Sequence, residues 1–176
     1  VKAADLNKMD GAAKKGDNEV LLEKTKLDDF DSVDISMTDM NLQVVPSDDR
    51  SCYISYQASD QTKDPMRYQV KDGKLTIREN DNTGKFYYHV DIGFLSGLLG
   101  GGPVTTDENV VTLYIPEEQE WKTADIKTDM SNIMLNGCKI ENGTVQSNSG
   151  DIYFKNCDFD NLKIDSDMGD IHFVGT

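Results

Sequence analysis

Nowhere in this sequence does an apolar run approach the ~18 residues that a membrane-spanning helix needs, so direct membrane insertion is not expected of it. Basic residues are scarce: 18 Lys and Arg stand against 32 Asp and Glu, a formal net charge of −14. Binding a nucleic-acid backbone needs a basic footprint, and adsorption to anionic lipid needs one as well. Neither is expected, and the charge reads as a source of solubility. Three cysteines are too few for a disulfide framework. The two histidines, His89 and His172, each lack a Cys or second His at ligand spacing, so no zinc site is expected. No serine has the context of a nucleophile elbow. Gly100 to Gly102 lacks both the lysine and the following helix of a phosphate cradle. No catalytic residue, metal ligand or cofactor is expected on these grounds.

What the sequence does have is a period. Written in rows of nineteen, Trp121 to Val174 falls into columns. Ile126, Val145 and Ile164 share one column, Ile133, Ile152 and Ile171 another, and Leu135, Phe154 and Phe173 a third. The turns read Ser131-Asn132, Gly150-Asp151 and Gly169-Asp170. Cys138 and Cys157 keep the same spacing, followed by Ile140 and Phe159. Apolar residues locked to fixed columns mark a solenoid, whose units bury their cores only by stacking. Within a row the alternation of Ile152 and Phe154 is strand spacing. A row is too short for a strand, a crossover helix and a second loop. The fold class is therefore all-β: a short-coil parallel β-solenoid at the C-terminal end, joined to an antiparallel strand and hairpin region.

An earlier copy of the coil lies near the start. Phe30, Val33, Asp34, Ile35, Asn41, Leu42 and Val44 fall in one register on Trp121, Ala124, Asp125, Ile126, Asn132, Ile133 and Leu135. The shift is not a multiple of nineteen, so the stretch between them is not uninterrupted solenoid. It reads as paired strands. Cys52 to Tyr56 alternates, and Tyr68 to Ile77 is a hairpin whose Asp72-Gly73 suits a type I′ turn. Phe86 to Ile92 and Val110 to Ile115 are further strands, the second ended by Pro116. The loop Gly93 to Pro103 between them carries Phe94, Leu95, Leu98 and Leu99. These could contact a partner or fold back over an open end of the core, and the second is favoured. The division that follows is residues 1–27 as a leader or linker and 28–176 as one domain. That domain comprises a coil copy at 30–48, a hairpin region at 52–115 and regular coils at 121–176. Within the leader, Ala3 to Lys15 has weak helical character interrupted by Gly11. The chain opens on Val1 rather than Met, which fits the removal of a signal or anchor.

Two acidic columns are the candidate surface features. Asn132, Asp151 and Asp170 form one, and Asp129, Asn148 and Asp167 the other, each with members about 4.8 Å apart along the solenoid. Carboxylates on one face can serve polysaccharide cleavage or chelate calcium. Calcium needs six to eight oxygens, however, and the repeat lacks the calcium-solenoid pattern. Gly followed by Asp is also ordinary turn chemistry, and turn residues are the expected reading. Stacked Cα atoms put Cys138 and Cys157 within disulfide range, but parallel neighbours point the same way and make the torsion awkward. Buried thiols filling core space are expected there and at Cys52.

The leader, the coil Phe30-Asp-Ser-Val33-Asp-Ile35 and the hairpin Tyr68-Gln-Val70-Lys-Asp-Gly-Lys-Leu75-Thr-Ile77 come in a recognisable order. They are followed by Val111-Thr-Leu113-Tyr-Ile115-Pro116 and repeats of the Ser149-Gly150-Asp151-Ile152 kind. This arrangement, from about Phe30 to the end, resembles the bacterial adhesin-like family of β-solenoid domains, with Ser131-Asn132 departing from its Gly-Asp turn. The resemblance implies a β-solenoid placed outside the cytoplasm, frequently behind an N-terminal membrane anchor. It brings no catalytic or binding residues with it. The leading expectation is a non-enzymatic envelope or cell-surface module, a binding or scaffolding domain whose partner is a protein or carbohydrate. The alternatives are the ectodomain of an anchored envelope sensor and a polysaccharide-acting β-solenoid enzyme. The second of these rests on fold analogy alone.

Overall fold

The computed structural model describes residues 12–14, 19–59, 66–79 and 109–175. Its regular secondary structure there is entirely β-strand, and no described helix is long and apolar enough to cross a membrane. Three coils follow one another at the C-terminal end, each with a long and a short strand. They are β9 (Glu120–Thr128) with β10 (Ile133–Asn136), β11 (Lys139–Ser147) with β12 (Ile152–Lys155), and β13 (Asp158–Ser166) with β14 (Ile171–Val174). Neighbouring coils pair in parallel with one register throughout. Ile126 lies beside Val145 and Val145 beside Ile164, while Ile133, Ile152 and Ile171 follow one another in the opposite sheet. The early copy is a coil of the same stack. Its strands β3 (Ser32–Met37) and β4 (Asn41–Pro46) lie directly against β9 and β10, with Ile35 beside Ile126 and Leu42 beside Ile133.

The intervening stretch is more solenoidal than its sequence suggests. β7 (Lys74–Glu79) runs parallel to β3, and β8 (Val110–Ile115) runs parallel to β4. Val33 pairs with Leu75, 42 residues on, while Leu42 pairs with Val111, 69 residues on. The two strands thus form a further coil that carries 27 extra residues between its halves. Phe86 to Ile92 and the loop with Phe94, Leu95, Leu98 and Leu99 fall in that insertion, outside the described residues.

Beyond this coil the pairing turns antiparallel. β6 (Met66–Lys71) closes the six-stranded sheet through the expected hairpin, in which Asp72 and Gly73 take φ of 52° and 75°, as a type I′ turn requires. β5 (Tyr53–Ser59), β2 (Glu19–Lys26) and β1 (Ala12–Lys14) extend the eight-stranded sheet. The end of the expected leader is therefore part of the sheet. Ala12–Lys14, where helix was expected, is a strand opposite Val20–Leu22, because the free edge of β2 offers backbone partners that a weakly amphipathic helix does not. The rest of the Ala3 to Lys15 segment, residues 3–11 and Lys15, lies outside the described residues.

The core lies between the sheets as one continuous cluster, with Ile35, Leu42, Ile77, Leu113, Ile126, Ile133 and Phe154 fully enclosed. Each such side chain contributes roughly 1.5–3 kcal/mol by leaving water. Trp121, in the column of Phe30, is packed at 1% exposure. The expectation that every column member faces a closed interior fails at the last coil. Ile164 is only partly buried, Ile171 is 38% exposed and Phe173 is 54% exposed. Their side chains do continue the columns, Phe173 stacking on Phe154 at 5.2 Å, but no described strand lies beyond them.

At the opposite end of the stack a side chain serves the amides of the β3–β4 turn. In the regular coils the turn amides donate to the carbonyls of the preceding coil, as Asn148 N does to Thr128 O and Ser149 N to Asp129 O. The β3–β4 turn instead receives one carboxylate oxygen of Glu79, which accepts from the amides of Thr38, Asp39 and Met40 at 2.6, 2.9 and 3.1 Å. Burial raises the Glu79 pKa above its ordinary 4.5, opposed by those three amides.

Two predictions follow from this packing. Phe154→Asp buries an unpaired charge and should cost about 4 kcal/mol in urea unfolding, whereas Phe173→Asp at the open end should cost far less. Glu79→Ala strands three amides and should cost about 2 kcal/mol. Because the folded pKa of Glu79 is raised, its contribution is full below the unfolded value and is lost as pH rises through the folded value. The unfolding free-energy difference between wild type and Glu79→Gln should therefore shift toward the wild type as pH falls from about 7 to about 4.

Candidate functional site

The acidic columns sit at the turns between the long and short strands, and their side chains serve the backbone. Asn41 Oδ1 accepts from the amide of Asn132, Asn132 Oδ1 from that of Asp151, and Asp151 Oδ1 from that of Asp170, at 2.9, 2.9 and 2.8 Å. Each Asx side chain thus ties its own coil to the next. In the second column Asn148 Nδ2 donates to Asp129 Oδ1 at 2.6 Å, and Asp129, Asn148 and Asp167 are all exposed.

A third column escaped the sequence reading. Thr128, Ser147 and Ser166 end the long strands at the same spacing of nineteen. Their hydroxyls donate to the carbonyls of Ser131, Gly150 and Gly169 at 2.9, 2.7 and 2.8 Å. The amides of Gly150 and Gly169 donate back to Ser147 and Ser166. The spacing was visible, but small hydroxyl residues give no hydropathy signal. Gly150 and Gly169 are needed for closeness: a Cβ on either would collide with the carbonyl of Ser131 or Gly150 in the preceding coil.

The last turn gathers groups that the inner turns do not. Asp151, Asp170 and His172 each place a ligand-type atom within 4.8 Å of those of the other two. His172 Nε2 lies 3.9 Å from Asp151 Oδ2, which also accepts from the Tyr153 hydroxyl at 3.1 Å. The imidazole stacks on the Tyr153 ring at 4.5 Å with 7° between planes. Burial, with the charge and hydrogen bond of Asp151 and the charge of Asp170, pushes the Tyr153 phenol up to about 12. His172 was read as isolated because its neighbours are two residues and one whole coil away in sequence. His89 lies outside the described residues.

A different kind of surface covers the outer face of the six-stranded sheet. Its outward residues form rows across the strands: Arg78, Ser36, Lys127, Gln146 and Asp165 in one, Thr76, Asp34, Asp125, Thr144 and Lys163 in another. Within them lies an open depression of about 480 Å³, lined by Asp34, Ser36, Arg78, Asp125, Lys127, Thr144 and Gln146. None of the seven is aromatic. Arg78 is fixed in place, donating to the carbonyls of Asp34 and Ile77 and to Asp34 Oδ2, each at 2.9 Å. Asp34 and Asp125 are direct neighbours on β3 and β9. The outer face of the eight-stranded sheet differs, holding a small apolar cluster of Val45, Met134 and Tyr153.

The cysteines are free thiols. A hydrogen bond with Cys157, together with burial, holds the Cys138 thiol well above the ordinary thiol range. Burial pushes Cys52 up to about 11 against a hydrogen bond from its thiol to Gln119 Oε1. Raised values of this kind leave little thiolate at neutral pH.

A family model described as Toastrack DUF4097 matches residues 30–176. No curated protein matches the chain. Among solved structures, a candidate cell adhesion protein from Clostridium sporogenes is similar at a TM-score of 0.50 and 8% identity, covering 90% of this chain and 99% of its own. A candidate lipid-binding protein from Parabacteroides distasonis is similar at 0.44 and 18% identity, over 86% of this chain and 63% of its own. A candidate adhesin from Bacteroides fragilis gives 0.36 and 12% identity, over 93% and 99%. At these identities the likeness concerns the fold.

The turn chemistry predicts a graded response to mutation. Ser147→Ala removes a fully buried hydroxyl that both donates and accepts, and should cost about 2 kcal/mol. Asn132→Ala, at a half-exposed turn, should cost about 1 kcal/mol. Urea unfolding of the two variants checks the order.

Proposed function

The chain belongs to the Toastrack DUF4097 family, and from that premise we propose that it is a non-catalytic binding or scaffolding module of the bacterial cell envelope. Its contact surface is the outer face of the six-stranded sheet, and its partner is a surface protein or a carbohydrate. The observation that carries this reading is the ordered polar face itself. Rows of donors and acceptors stand at strand spacing on a backbone that cannot shift without breaking the coil register, and Arg78 is already oriented by three hydrogen bonds. Such a face can hydrogen-bond an extended partner, and the prior fixing of Arg78 lowers the entropic cost of its share. Asn41, Asn132, Thr128 and Ser147 in the inner turns are committed to holding coils and turns together, which leaves them poorly suited to proton transfer. Placement outside the cytoplasm belongs to the same reading, and the cell-adhesion description of the Clostridium sporogenes neighbour agrees with it.

One observation favours a second reading. Asp34 and Asp125 are adjacent carboxylates in an open depression, and paired carboxylates are the machinery of glycoside hydrolysis. The depression lacks an aromatic platform for a sugar ring, and Asp34 is paired with Arg78 at 2.9 Å, so the binding reading is preferred. The two separate in one experiment, in which the purified chain is incubated with host, plant and bacterial-wall polysaccharides and with envelope protein fractions. Binding without new reducing ends or unsaturated products, weakened at least tenfold by Lys127→Ala with Gln146→Ala, is the expected outcome. Turnover abolished by Asp125→Asn would replace this reading with the enzymatic one.

A further inference from the structure

We propose that Asp151, Asp170 and His172 bind a divalent transition-metal ion of the Zn²⁺ class at the last coil. The site lies where the Asx ladder reaches Asp151 and Asp170. In the inner turns each Asx oxygen takes the amide of the following coil, as Asn132 Oδ1 does for Asp151. Asp151 repeats this with Oδ1, which accepts from the Asp170 amide at 2.8 Å, and so keeps Oδ2 facing outward. Among the described residues no amide donates to the Asp170 carboxylate, and it stands beside that of Asp151 with ligand-type atoms of both within 4.8 Å. A cation between two adjacent carboxylates relieves their repulsion.

The imidazole gives the site its selectivity, and its placement is independent of the carboxylates. His172 occupies the column of Met134 and Tyr153, and the parallel stack on Tyr153 fixes its plane. In that plane Nε2 comes to 3.9 Å from Asp151 Oδ2. The Tyr153 hydroxyl donates to that oxygen and so helps to hold the carboxylate in position. One imidazole nitrogen with carboxylate oxygens suits first-row transition ions, whereas Ca²⁺ takes six to eight oxygens. Ligand distances near 2.0–2.2 Å need the three atoms about 3–3.5 Å apart, so they must close in slightly from their present separations. Asp170 is exposed and can move to do so, and His172, 41% exposed, needs only a small slide in the plane that the Tyr153 stack sets. Three protein ligands leave an open coordination position for water or for a group on a partner. The ion would join the last two coils where the core is thinnest, without being required by the inner coils.

The test is isothermal titration of ZnCl₂ into the full chain and into His172→Ala, Asp170→Asn, Asp151→Asn and His89→Ala. Asp151→Asn keeps the oxygen that accepts from Asp170 while removing the charge. The expected result is saturable one-to-one binding in the micromolar range, weakened at least tenfold in the first three variants and unchanged in His89→Ala. CaCl₂ should give no comparable heat. Nitrogen NMR of the wild type guards against a misfolded variant: Zn²⁺ should shift the His172 Nε2 resonance and leave that of His89 in place. Absence of saturable binding, binding retained in His172→Ala, or a shift at His89 alone would overturn the proposal.

Discussion

Every other feature of this molecule depends on hydrogen bonding along the solenoid axis. In a parallel coil the backbone amides and carbonyls point at the neighbouring coils, so each coil is satisfied only by the next one in register. A slip by one residue would turn every inward side chain outward. The period of nineteen expresses this constraint, and the turns obey it as strictly as the strands. Asx side chains capture amides of the following coil, Ser and Thr hydroxyls close each turn, and glycines stand where coils approach too closely for a Cβ. The resulting contacts are overwhelmingly between residues distant in sequence.

A stack held in this way has a problem at each end, and the two ends solve it differently. At one end the pairing changes from parallel to antiparallel. The β6–β7 hairpin and strands β5, β2 and β1 extend the sheets, and Glu79 serves the β3–β4 turn by accepting from three amides. A part-buried carboxylate is costly, but so are three amides without partners. At the other end β13 and β14 are the edge strands of the described sheets. Met168, Ile171 and Phe173 are the exposed large apolar residues among those described, and Asp170 is the last described member of the Asx ladder.

The outer faces carry what the core does not prescribe. Inward positions are fixed by packing, whereas outward positions need only be compatible with strand pairing. The six-stranded sheet uses that freedom for rows of mixed charge and hydroxyl groups, and the eight-stranded sheet for a small apolar cluster.

By itself the sequence determined the solenoid, its period and the early copy of the coil, because column residues such as Ile133, Ile152 and Phe154 repeat at fixed separations and strand alternation is local. The Asp72-Gly73 hairpin was legible for the same reason, since turn chemistry resides in adjacent residues. Tertiary structure decided what depends on which segments become neighbours. β7 and β8 form one coil although a long insertion separates them, and no period survives such an insertion. Glu79 becomes a turn cap only because β7 lies beside β3. Phe173 belongs to a core column by sequence and to the surface by position, because burial depends on whether another coil follows. His172 and Asp151 come together for the same physical reason: a parallel register places residues nineteen or more apart side by side, where no local pattern shows them.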